Sequence, residues 1–149
     1  MPLTIESSRF GRVEIDPSTV IEFPDGLIGL GGSRYTLLAR DHEAAFAWLQ
    51  SLDDPGLALP VTNPHRFFAG YQVELTDEDA ERTSIDPATP VDVYIVVRAG
   101  EALEDFTANQ KAPILVHGGR GWQVINQAEG LEIRAALFAG VEIEPATGR

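Results

Sequence analysis

The chain contains no cysteine. That excludes a disulfide framework, a thiolate zinc site and a cysteine nucleophile, and it leaves the hydrophobic core alone to hold the fold. Positive charge is scarce, with 11 Lys and Arg against 23 Asp and Glu and a net charge of −12. Such a surface repels polyanions, so neither direct nucleic-acid binding nor attachment to an acidic membrane is expected; a basic protein would be steered in. Long apolar runs are missing as well, and nothing approaches the roughly 20 residues that cross a bilayer. The opening residues, Met1-Pro-Leu-Thr-Ile-Glu6, carry neither the basic nor the apolar region of a signal peptide, which points to the cytoplasm.

What is present fits one compact domain: 149 residues, 44% of them hydrophobic. Alternating apolar and polar residues mark short strands at residues 3–5, 12–15 and 20–23, and Pro24-Asp25-Gly26 is a strong turn signal. Further strands read at residues 35–39, 46–50 and 57–61. In the last of these, Pro60 removes a ladder donor and predicts an edge or a strand end. Residues 64–68 suit one helical turn capped by Asn63, and residues 71–75 alternate like another strand. Thr76 is placed to cap a short helix over 77–82, with acids in its first turn. Residues 91–97, rich in β-branched and aromatic side chains, make the strongest and most central strand. Strands at 114–116 and 122–125 flank a glycine-rich hairpin turn at 117–121, and 133–138 reads as a last strand or a short helix. Short strands at this spacing argue for an antiparallel barrel or sandwich, since no long helix exists to make βαβ crossovers.

Catalytic chemistry is hard to find. The glycines at 26, 29, 31 and 32 lack the Gly-Lys-Ser/Thr ending and the following helix of a phosphate loop. His42, His65 and His117 have no ligand spacing, so surface or capping roles are expected, with neither metal nor cofactor. Asp53-Asp54 could form an acid/base pair, but acids before Pro55-Gly56 are ordinary turn formers. Ser51 lacks a nucleophile elbow. No enzyme is expected. A different feature stands out in the segment 23–30, where Leu27, Ile28 and Leu30 crowd a glycine-jointed turn. Two readings stand: the side chains plug one end of a barrel, or they form an exposed apolar knob suited to protein binding.

Four segments carry a family resemblance. Phe10-Gly-Arg-Val-Glu-Ile15, Phe23-Pro-Asp-Gly-Leu-Ile-Gly-Leu30, Trp48-Leu-Gln-Ser-Leu-Asp-Asp-Pro55 and Asn109-Gln-Lys-Ala-Pro-Ile114 resemble, in order and spacing, the FliW family of flagellar assembly factors. Trp122-Gln-Val-Ile125 is similar to that family's closing strand motif. The resemblance covers residues 3–138 and departs from the family pattern at Gln110, where an apolar residue is usual, and at Gly31-Gly32, where an acidic one is common.

The resemblance implies a mainly all-β, compact antiparallel β-barrel-like domain with one or two short helices over residues 1–140; beyond Gly140 the sequence loses its pattern, and a mobile tail is expected over 141–149. It implies a cytoplasmic, non-enzymatic protein that binds flagellin as a chaperone and antagonises the translational repressor CsrA by direct binding, coupling flagellin synthesis to export. The partner-binding residues expected on this reading are Phe23, Leu27, Ile28, Leu30, Asp53, Asp54 and Asn109. The alternative is a small β-barrel enzyme or ligand binder with a site assembled from distant residues such as Asp53, Asp54, His65 and Asn109. Both tryptophans, Trp48 and Trp122, are expected to face inward or to line the barrel mouth.

Overall fold

The computed structural model describes residues 3–8, 10–28, 33–39 and 44–138, with Leu103 described by its backbone alone. Leu30, Gly31-Gly32, His42 and the tail expected at 141–149 lie outside the described residues.

Hydrophobic alternation produces the strands, and their pairing closes a barrel. In chain order they are β1 (Leu3–Ser7), β2 (Gly11–Ile15), β3 (Ile21–Glu22), β4 (Arg34–Leu38), β5 (Phe46–Ser51), β6 (Ala58–Thr62), β7 (Asp92–Arg98), β8 (Thr107–Ala108), β9 (Ile114–His117), β10 (Arg120–Gln123) and β11 (Ala135–Ala136). β1 and β2 form a separate antiparallel hairpin in the register Leu3↔Ile15. β3 to β7 follow one another as an antiparallel meander. β7 then pairs with β9, β9 with β10, and β10 with β3, so seven strands close on themselves. The expected antiparallel barrel is therefore observed, with one parallel contact at its seam, Arg120↔Glu22. Among the described residues one α-helix forms, α1 (Asp77–Thr83), outside the barrel. No helix among the described residues is long and apolar enough to cross a membrane.

β7 shows why the barrel is layered. Successive strand residues point to opposite faces. Tyr94 and Val96 pack on the interior cluster of Ile21, Phe23, Tyr35, Leu49, Val61 and Ile114, whereas Ile95 and Val97 bury against Tyr71, Ala108 and Leu137 on the other face. Both faces are covered, which explains the apolar run Val93-Tyr94-Ile95-Val96-Val97. β9 divides likewise: Ile114 points into the barrel, and Leu115 packs with Ile85, Trp122 and Val124 outside it. β7 is also shared along its length, pairing with β9 over Asp92–Tyr94 and with β8 at Val97 and Arg98.

Local chemistry punctuates these elements as expected. Gly118 and Gly119, both at positive φ (62° and 79°), make the two-residue turn of the β9–β10 hairpin, where a side chain would be strained. The Asn63 side chain accepts from the His65 amide and the Thr76 hydroxyl from the Asp79 amide, so both capping assignments hold. Pro60 falls where β6 pairs with β5 alone, because the ladder to β7 includes only Val61 and Thr62.

One strand expected from the alternation does not form. The segment 71–75 is in no helix and joins no ladder. Its backbone is held instead from the segment after β10: the Asn126 side chain accepts from the Glu74 amide (2.8 Å) and donates to the Gln72 carbonyl (2.8 Å), and the Gln127 amide donates to the Glu74 carbonyl (2.9 Å). The segment at 133–138 resolves as the two-residue strand β11, paired with β8. Trp122 is buried, but outside the barrel with Ile85, Leu115 and Val124 instead of facing inward, while Trp48 is half-buried and packs edge-on against Phe10 at 6.1 Å.

Candidate partner-binding surface

The turn after β3 was open to two readings, and the structure divides its side chains between them. Phe23 and Leu27 are buried at 1% and 4% exposure, so they belong to the barrel interior and present no surface to a partner. Phe23 lies edge-on to Tyr35 at 5.3 Å, over β10 at a point where only glycine fits: a Cβ on Gly121 would stand 2.6 Å from the Phe23 ring. Ile28 is 56% exposed. Its amide donates to the Gln123 side chain at 2.8 Å, which fixes the turn on the barrel wall and leaves the side chain facing solvent. Ile125, two residues past the end of β10, is also exposed, at 50%. Plug and knob therefore coexist within six residues.

The carboxylates at 53 and 54 are built into the β5–β6 turn. Asp53 accepts from the amides of Ser33 (2.9 Å) and Arg34 (3.2 Å) and pairs with the Arg34 guanidinium at 3.3 Å. These bonds, the Ser33 amide first, hold its carboxyl below the usual carboxylate range. Asp54 accepts from the Gly56 amide at 2.9 Å, and the Ser51 hydroxyl accepts from the Asp53 and Asp54 amides. Turn chemistry thus accounts for their conformation, and both residues remain exposed. Asn109 has a comparable local task, accepting from the Lys111 amide at 2.9 Å.

The alternative, assembled site is not brought together. Asp53 and Asp54 sit at the turn leading into β6, while His65 follows its far end, and the five residues of β6 between them span about 17 Å. His65 is engaged with Asn63 and the Tyr71 carbonyl, and His117 with the Pro90 carbonyl, all structural partners. No group of three or more metal-ligating side chains occurs among the described residues.

Gln110, polar where the resembled family is usually apolar, is buried and does definite work. Its amide donates to the Glu132 carbonyl (2.9 Å), its side-chain oxygen accepts from the Glu132 amide (2.9 Å), and its own carbonyl accepts from the Tyr71 hydroxyl (2.7 Å). This clasp ties the segment before β11 to the barrel. Sequence reasoning missed both Gln110 and Asn126 as organisers, because a buried amide looks like any surface amide until its partners are known.

The family model described as FliW protein matches residues 4–137, nearly the whole chain. The chain belongs to the FliW family. Among its relatives, the flagellar assembly factor FliW of Desulfitobacterium hafniense strain Y51 is 32% identical over 140 residues, covering 92% of each chain. The flagellar assembly factor FliW of Bdellovibrio bacteriovorus is 32% identical over 143 residues, covering 94% of this chain and 82% of that one. A crystal structure of the flagellar assembly factor FliW superposes with a TM-score of 0.80 at 28% identity, covering 91% of this chain and 96% of that one. The FliW barrel is thus common to both molecules.

Proposed function

We propose that this protein is a non-enzymatic flagellar assembly factor of the cytoplasm, which binds flagellin as a chaperone and restrains CsrA by direct binding. The observation that carries the reading is the FliW match over residues 4–137 together with the shared barrel. Two surface properties support it. A net charge of −12 suits a basic, RNA-binding partner and raises the negative potential against RNA near the complex. The exposed Ile28, fixed by its backbone on the barrel wall, suits an apolar segment of a partner that is unfolded before assembly. Flagellin and CsrA then compete for one regulator, and accumulating flagellin releases the repressor of its own synthesis.

The test is co-purification of the untagged protein with flagellin and with CsrA, followed by binding isotherms for Ile28→Asp. Stoichiometric capture of at least one partner is expected. The variant should bind at least one of them more weakly at an unchanged melting temperature, since the side chain is outside the core. Failure to capture either partner would refute the reading, and a large drop in melting temperature would show that Ile28 belongs to the plug.

A further inference from the structure

The acidic charge is unevenly placed. Residues 72–92 hold seven carboxylates and one arginine, which is half of the chain's net charge of −12 in 21 residues. They also wall a groove of about 660 Å³ on the outside of the barrel, between α1, the loop that follows it and the β7–β9 wall. Its floor is apolar: Val73, Leu75, Ile85, Val91 and Leu115. Its exposed rim bears Glu74, Asp77 and Asp86, and neither lysine nor arginine lines it. The cation of α1, Arg82, is tied to Asp79 and Asp25.

The walls are set in advance. Asp86 accepts from the Ala88 amide (2.8 Å) and the Thr89 hydroxyl (3.0 Å), which closes the turn above Val91. These bonds, the one from Thr89 foremost, hold its carboxyl below the usual range, so it is ionised near neutral pH. On the opposite wall, the Asn126 side chain fixes the backbone at Glu74. An apolar trough with fixed sides and carboxylates along its edge focuses negative potential where an incoming side chain would seat.

We propose that this groove receives a basic protein segment, with one apolar side chain seated over Val73, Leu75 and Val91 and flanking lysines or arginines paired with Glu74, Asp77 and Asp86. Charge selects among the possible occupants. A second copy, itself at −12, is repelled, and so is a nucleic acid. The chain's own residues 139–149 carry two glutamates and one arginine, the wrong balance for this rim. The proposal concerns the partner's chemistry, not its identity, and goes beyond the assignment of flagellin and CsrA.

The probe is a fluorescent 12-residue peptide with four lysines around a central leucine, alongside the same peptide with alanine at that place. Both are titrated into the full chain at 0.15 M salt. The leucine peptide should bind about tenfold tighter or better, the minimum for seating such a side chain. Amide shifts should centre on Val73, Leu75, Ile85 and Val91. Glu74→Lys with Asp77→Lys should weaken binding at least about tenfold, since two attractive charges become repulsive. Glu101→Lys with Glu104→Lys, a charge-matched change in the loop beyond the opposite end of β7, should leave it within about twofold. Equal affinity for the two peptides, equal loss in the two double variants, or shifts centred elsewhere would each overturn the proposal. Because the probe is synthetic, its failure leaves the co-purification result untouched, and the reverse also holds.

Discussion

Replacing Asn126 with alanine should be among the most damaging single changes outside the hydrophobic core. The side chain is 5% exposed. It accepts from the amides of Glu74 (2.8 Å) and Ala128 (3.1 Å), and donates to the Gln72 carbonyl (2.8 Å) and the Tyr71 hydroxyl (3.2 Å). The tyrosine keeps another partner in the Gln110 carbonyl, so three backbone groups lose theirs. Fully buried, each orphaned group would cost about 1–3 kcal/mol; Gln72 and Glu74 lie near solvent, so about 1 kcal/mol apiece is the better figure. The total is roughly 3 kcal/mol, or a fall of roughly 6–12 °C in Tm for a chain of this length. Thermal melts measure it, and hydrogen exchange localises it, because the Glu74 amide should lose protection ahead of the barrel strands. Asn126→Asp separates the donor from the acceptor function. The carboxylate still accepts but cannot donate to Gln72, and burial raises its folded pKa above the unfolded value. Its neutral, donating form favours folding, so the deficit against the native protein should be smallest below the unfolded pKa and should grow as pH rises through the folded one. A loss below about 1 kcal/mol for Asn126→Ala, with Glu74 protection unchanged, would refute the assignment of this side chain as the partner of the 71–75 backbone.

Gly121→Ala should destabilise by about 1–3 kcal/mol through overpacking against Phe23, and Phe23→Leu in the same chain should recover part of that loss; additive costs in a double-mutant cycle would show that the two sites do not meet. Asp53 has a folded pKa held below its unfolded value, so its contribution to stability is present above the unfolded pKa and is lost as pH falls through the folded one. Asp53→Asn should therefore flatten the acid limb of the stability profile below about pH 4, and an unchanged limb in urea melts would count against those bonds. Association with a basic regulator should slow as salt rises from 0.01 to 0.15 M, where the Debye length falls from about 30 to about 8 Å, with dissociation changing less; a salt-independent association rate in stopped flow would sink the steering argument.

The amino-acid sequence alone determined whatever depends on near neighbours. The run at 91–97 read as a central strand because it is rich in β-branched and aromatic side chains, and β7 is covered on both faces. Asn63, Thr76 and the paired glycines at 118 and 119 announced their caps and turn, since each acts on backbone within a few residues. The absence of cysteine and the excess of carboxylates bounded the chemistry before any contact was known. Tertiary structure decided the rest. Residues 71–75 alternate like a strand, yet Gln72 and Glu74 bond to Asn126 and Gln127, more than 50 residues away and in no ladder, and alternation records only which face is apolar. In the turn at 23–28, Phe23 and Ile28 are comparable apolar residues in a comparable local setting. One is buried because Gly121 leaves room for its ring, and the other is exposed because Gln123 captures its amide. Those partners lie almost a hundred residues further on, across the β3–β10 seam, and a pairing made only when the barrel closes leaves no periodicity along the chain.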